Sequence, residues 1–324
     1  MNFWQDKSVA VTGGAGFCGA HLVRQLVQVG ANVRVLDDFS RGLIRNVSGM
    51  QKVQIFECNC TQLDEVIAHI SGCDIVLNLA AKVTSIEYNN KHHGEMFYKN
   101  MLLQQVPLEA ARLVGVERFC QTSTVCTYGH DAPIPTPEDC ANINCPEDTN
   151  AGYGFAKLMG EKLARWYAEE YKMKIAITRF ANLAGAYDWF DWETSHVIPS
   201  MIRKCLENDI IEVWGNGQQR REFLFAGDAA KGLMLVTEKY AEADPVNISP
   251  GFNITITELV RMIQDILGTN KPIVYTDTRP TGHAERLADN TKLMQKTGWV
   301  PSTPMAEWLE RTVDWYVSNR EVTK

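Results

Sequence analysis

Tyr153-Gly-Phe-Ala-Lys157 sets a phenol and an ammonium at i and i+4, on one face of a helix. A cation beside a phenol lowers its pKa and readies it as a base toward a substrate hydroxyl. The same spacing also describes an ordinary amphipathic pair at a helix start. The pair gains weight from Thr122-Ser-Thr-Val-Cys-Thr-Tyr128, a hydroxyl-rich strand end about 30 residues upstream. A second group of residues suits an anion. Gly13, Gly16 and Gly19 stand at G-x-x-G-x-x-G spacing between apolar Val9–Val11 and a stretch with helical spacing from Ala15 to Val29. A turn without Cβ atoms lets backbone N–H groups approach a pyrophosphate at a helix N-terminus. Asn32–Asp38 then reads as a second strand ending in acid. Asp37 falls about 20 residues on, where a ribose 2′-OH would be held, although a solvated loop carboxylate fits that position too.

The elements that must position these groups follow in order. Val53–Phe56 and Asp74–Ala81 read as strands, Gln62–Ile70 and Glu95–Leu113 as helices, and Arg118–Ser123 as a further strand. A Pro-rich loop, 132–146, leads to a long helix over Tyr153–Tyr171 and a sixth strand over Lys174–Phe180. Strands alternating with helices predict an α/β fold, a doubly wound parallel sheet with its crevice at the strand C-terminal ends. From about Ala184 the alternation fades. Ser195–Glu207, Asp228–Lys239, Ile256–Leu267 and Pro304–Val317 look helical, with short strands near Ile211–Val213, Phe223–Phe225, Val246–Ile248 and Ile273–Tyr275. The expected division is a dinucleotide-binding Rossmann domain over 1–183 and a smaller mixed α/β substrate lobe over 184–324, with no linker between them.

Composition narrows the class. The chain has 324 residues, 45% hydrophobic and 22% charged, with a formal net charge of −7. Mixed charges without a basic block argue against a nucleic-acid surface. No apolar run approaches the ~18 residues of a membrane span, and the first strand begins too early for a signal peptide. The nine cysteines are scattered, odd in number and without a metal-site framework; no metal is expected. They read as buried small hydrophobes or free thiols of a reducing cytoplasm.

Taken together, the glycine loop, Asp37, Leu79-Ala-Ala81, Thr124, Tyr153/Lys157 and Arg179-Phe-Ala-Asn182 resemble an extended short-chain dehydrogenase/reductase of the nucleotide-sugar epimerase/dehydratase family, over essentially the whole chain. The resemblance implies NAD as cofactor, Tyr153 as catalytic base, Lys157 on the nicotinamide ribose and Thr124 on the reacting hydroxyl. It also implies a cofactor cleft lined by Gly13, Gly16, Phe17, Cys18, Asp37, Asp38, Asn59, Cys60, Leu79, Ala80, Ala81 and Asn100. Within the family the chain is most similar to the GDP-fucose synthase branch, through Ala81-Lys-Val-x-x-Ile86, Tyr98-x-Asn-Met101, Ser195-His-Val-Ile-Pro199 and Val213-Trp-Gly-x-Gly217 with Arg220-Arg-Glu-Phe223. That likeness implies that Cys126 and His196 exchange protons beside a sugar 4-ketone. It further implies that Lys82, Val83, Asn182, Val197, Trp214, Arg221 and Arg279 contact a nucleotide sugar, with GDP favoured, and that the chain is a homodimer through its two long helices. Taken singly, Cys126 also reads as a buried strand-end thiol, His196 as a capping or core histidine, Trp214 as a core residue and Arg279 as a surface arginine.

Departures sharpen the expectation. Asp37 opposes the 2′-phosphate of NADPH, the cofactor of that branch. Val125-Cys126 stand where sugar dehydratases carry Asp-Glu, so dehydration is not expected. Asn59 replaces a common Asp, and Ala184 and Gly227 replace commoner Tyr and Asp/Glu. The expected function is an NAD-dependent nucleotide-sugar epimerase. The alternatives are a 4-keto-6-deoxy-sugar epimerase/reductase, a C4-epimerase or C4-dehydrogenase, and a non-catalytic NAD-sensing protein.

Overall fold

Strand β1 (Ser8–Thr12) divides the fold: Val9 and Val11 turn to one face and Ala10 to the other, the period of two of an extended chain. The computed structural model describes residues 2–142, 146–277 and 284–321. After β1 come α1 (Phe17–Gln28), β2 (Asn32–Asp37), β3 (Val53–Glu57), α2 (Leu63–Ile70), β4 (Ile75–Asn78), α3 (Ile86–Lys91), α4 (His93–Val114), β5 (Arg118–Thr124), α5 (Ala151–Tyr171) and β6 (Ile175–Phe180). The remainder holds β7 (Asn182–Ala184), α6 (Val197–Glu207), β8 (Ile211–Trp214), β9 (Arg220–Arg221), β10 (Phe223–Phe225), α7 (Ala226–Lys239) and β11 (Glu242–Ile248). It closes with β12 (Ile254–Thr255), α8 (Ile256–Leu267), β13 (Ile273–Thr276), α9 (Thr291–Thr297) and α10 (Met305–Asn319).

Seven parallel strands form the central sheet in the order β11-β6-β5-β4-β1-β2-β3. Leu22, Val23 and Leu26 of α1 and Leu233 of α7 cover one face with Val9, Val11, Val33 and Val35. Val66 and Ile70 of α2, Leu108 of α4 and Ala164 of α5 cover the other with Ala10, Val76, Phe119 and Ile177. Strand order reverses between β1 and β4, so a crevice opens there at the carboxyl ends of the strands. A second core, around Ile202, Val213, Leu259, Ile263 and Trp308, belongs to α6, β8, α8 and α10.

One expectation is corrected. The strand near Val246 was assigned to the substrate lobe; it is β11, the edge of the central sheet, paired with β6 in register Val246↔Thr178. The chain crosses residue 183 into the lobe and returns through α7 and β11, where Val246 and Ile248 bury their apolar surface in the core with β6 and α7. Among the described residues no helix is long and apolar enough to cross a membrane.

Candidate active site

The crevice is one continuous cleft of about 1110 Å³, running from the loop after β3 to the space between α6 and β8. At its first end Gly13 has φ +65, and a Cβ there would lie 3.0 Å from the backbone of Ala80. Side chains are excluded where the loops after β1 and β4 meet. No side chain caps α1 at Gly16, and Gly16, Phe17 and Cys18 line the cleft, leaving the first N–H groups of the helix for an anion. Burial pushes the Cys18 thiol up to about 12, so it serves as neutral wall. Asp37 Oδ2 accepts from Ala15 N at 3.0 Å and Oδ1 from Phe39 N at 2.9 Å. The Asp37 side chain is not the solvated loop carboxylate its position also allowed. It is buried, desolvation raises its pKa against those hydrogen bonds, and it braces the glycine loop while lining the cleft. Asp38, Asn59, Cys60, Leu79, Ala80 and Ala81 complete this wall.

At mid-cleft β5 ends in Thr124, whose Oγ1 accepts from Cys126 N at 3.2 Å and fixes the turn that presents the thiol. α5 brings up Tyr153. A Cβ on the next residue, Gly154, would lie 2.7 Å from the Cys126 carbonyl oxygen, so only glycine lets the helix approach this closely. Lys157 Nζ sits 5.9 Å from the Tyr153 ring centroid and donates to Thr122 O at 3.0 Å. Burial, and then Cys126, hold the Tyr153 phenol above its ordinary range; burial also pushes Lys157 down to about 7 despite Glu161. At Lys157 desolvation outweighs the attraction of Glu161.

From the opposite lobe His196, the residue before α6, lines the cleft with Val197. Its Nδ1 lies 3.3 Å from Oδ1 of buried Asp188, which leaves Nε2 for the cleft. Lys82, Val83, Asn182, Trp214 and Arg221 line the same cavity. Burial, and then Arg286, push the Arg221 guanidinium down to about 10. Asn100 does not line it. Its buried amide accepts from Lys82 N and donates to Lys82 O, both at 3.0 Å, so it holds the loop that carries Lys82 and Val83. Arg279 lies outside the described residues.

A model of the NAD dependent epimerase/dehydratase family matches residues 9–249. The chain belongs to that family. It is 30% identical to a probable GDP-L-fucose synthase 1 of Oryza sativa subsp. japonica, over 98% of this chain and 95% of that one. It is 26% identical to a GDP-mannose 3,5-epimerase 1 of the same plant, over 99% and 85%. Its fold matches the structure of an epimerase from Methanothermobacter thermautotrophicus with a TM-score of 0.90, 28% identity and coverage of 99% and 95%. As in its family, the cofactor is NAD, and the uncapped helix, the glycine cradle and Asp37 are the residues that would hold it.

Three groups at the site carry no signal that sequence reading found. Arg286 Nη2 donates to buried Glu147 Oε2 at 2.6 Å, and its Nη1 lies 3.7 Å from Cys126 Sγ. Glu147 and Arg286 both line the cleft. They stand 139 positions apart, without a motif to join them. Asp188 lies only eight residues before His196, and that spacing is the one signal that was available.

Proposed function

We propose that the chain is an NAD-dependent nucleotide-sugar epimerase that takes a GDP-hexose through a 4-keto intermediate, with Cys126 and His196 exchanging protons at C3 or C5. One observation carries this reading: Cys126 and His196 wall the same cleft as Thr124 and Tyr153, from different lobes. The names of the two plant relatives, a GDP-L-fucose synthase and a GDP-mannose 3,5-epimerase, favour a GDP sugar.

When bound, held by the glycine loop and Asp37, NAD would supply hydride-transfer chemistry at the C4 carbinol. Tyr153, whose phenolate the positive charge of bound NAD would favour against burial, takes the hydroxyl proton, and Thr124 holds that oxygen in line. The ketone acidifies the neighbouring C–H bonds. Cys126, as thiolate, removes one proton and leaves the electron pair on the enolate. His196, as imidazolium, returns a proton to the same carbon from the other lobe. Asp188 fixes the imidazole so that Nε2 carries that proton. The net transfer from His196 to Cys126 resets through solvent.

Cys126→Ser and His196→Asn test the division of labour. Both variants should oxidise the sugar to its ketone and form no epimer. If Cys126→Ser epimerises at the wild-type rate, a simple C4-epimerase is the correct reading. A 4-keto-6-deoxy-sugar epimerase/reductase is the second reading, favoured by likeness to the fucose synthase; it requires steady consumption of added NADPH. We also infer a homodimer through α4 and α5, on which Phe97, Tyr98, Met159 and Trp166 are exposed.

A further inference from the structure

The cleft continues past Arg221 into a slot whose walls follow from two periodicities. Along β8, Ile211 and Val213 are fully buried in the lobe core, so alternation turns Glu212 and Trp214 to the other face, where both line the cleft. Along α6, Val197, Met201 and Lys204 fall at i, i+4 and i+7 on one stripe and line it too. The slot therefore has an apolar floor (Val197, Met201, Ile256), an indole, and at its edge a half-exposed carboxylate beside an ammonium. Lys204 Nζ donates to the Glu212 carbonyl at 2.8 Å and lies 3.8 Å from Glu212 Oε2. The carboxylate stands beside the ammonium at the slot, with half of its surface open.

We propose that Glu212 is the residue that selects the base of the nucleotide sugar, and that it selects guanine. This rests on the GDP-sugar reading above and names the group that enforces it. Guanine offers N1–H and N2–H₂ side by side as donors, with the O6 acceptor next to them. A carboxylate accepts from both donors at once. Uracil turns two carbonyl oxygens and a single N–H toward the same carboxylate, and hypoxanthine lacks the N2 amine. The slot lies at the end of the cleft remote from the glycine loop, so it does not compete for the adenine of the dinucleotide.

The test is calorimetric titration of the NAD-loaded protein with GDP, IDP, UDP and CDP, in the wild type, Glu212→Gln and Glu212→Ala. The wild type should bind GDP most tightly and IDP several-fold less well. Both variants should lose about tenfold or more for GDP, the size of one bidentate base contact, while UDP affinity stays unchanged. Thermal unfolding of the variants should match the wild type, because Glu212 sits half exposed on a short strand. If both variants keep the full GDP preference, Glu212 is not the selector and the GDP-sugar reading survives. If the wild type prefers UDP or CDP, or binds none of the four, the GDP reading fails and this inference with it.

Discussion

Tyr153 and Lys157 carry the redox half of the account, and burial sets their ionisation. A Tyr153→Phe variant should lose about 10²–10⁴-fold in turnover, the usual contribution of a positioned proton acceptor. It should still release NAD on denaturation. Lys157 leaves a testable mark on stability. Its folded pKa of about 7 lies below the ordinary ~10.4 of the unfolded chain, so between those values the unfolded state holds more protons. Stability contributed by this group therefore rises as pH climbs through that window. Below it, folding carries the full cost of a buried cation. Replacing it as Lys157→Met should stabilise the protein most near neutral pH and progressively less toward about pH 10. Urea unfolding of both proteins across that range checks this, and parallel curves would contradict it. At this scale the sequence was a fair guide to which residues meet, since the expected residues from the glycine loop to Arg221, Asn100 excepted, border one cleft. It was a poor guide to ionisation. The i, i+4 spacing of Tyr153 and Lys157 announces proximity and says nothing of the burial that, against the attraction of Glu161, lowers the Lys157 pKa.

At the level of elements, α5 has to hold Tyr153 against the turn after β5, and a buried ion pair ties it there. Arg179 on β6 donates to both oxygens of Glu161, at 2.8 and 2.6 Å, one turn beyond Lys157. Its other nitrogen donates to Tyr128 Oη at 3.0 Å and Glu138 O at 2.6 Å. Glu161→Ala would strand a guanidinium that is 2% exposed and should cost about 3–5 kcal/mol in chemical denaturation. The strands and helices up to β6 were legible because each carries its own apolar period. Three features were not. α3 is six residues long and mostly polar, β9 and β12 are two residues each, and β11 finds its place only through pairing with β6. Local pattern cannot report a partner some seventy residues away. The same limit hid Arg286 and Glu147.

Across the whole molecule, the fold is a cofactor platform on which a second lobe is returned to the sheet through α7 and β11. α4 and α5 lie together on one face of that platform, and Trp166 of α5 is 58% exposed and Tyr98 of α4 61% exposed. Trp166→Glu should convert a dimer into a monomer by light scattering and leave cofactor content unchanged; a wild type already monomeric would contradict that interface. The central claim, that Cys126 and His196 exchange carbon-bound protons beside a transient ketone, is met most directly by solvent deuterium. The protein, with only the NAD it carries, is incubated with GDP-mannose in D₂O and the sugar read by NMR. The account predicts deuterium at C3 or C5. A sugar inverted at C4 with no carbon-bound label would contradict it and leave Tyr153 as the working residue, with Cys126 and His196 as packing.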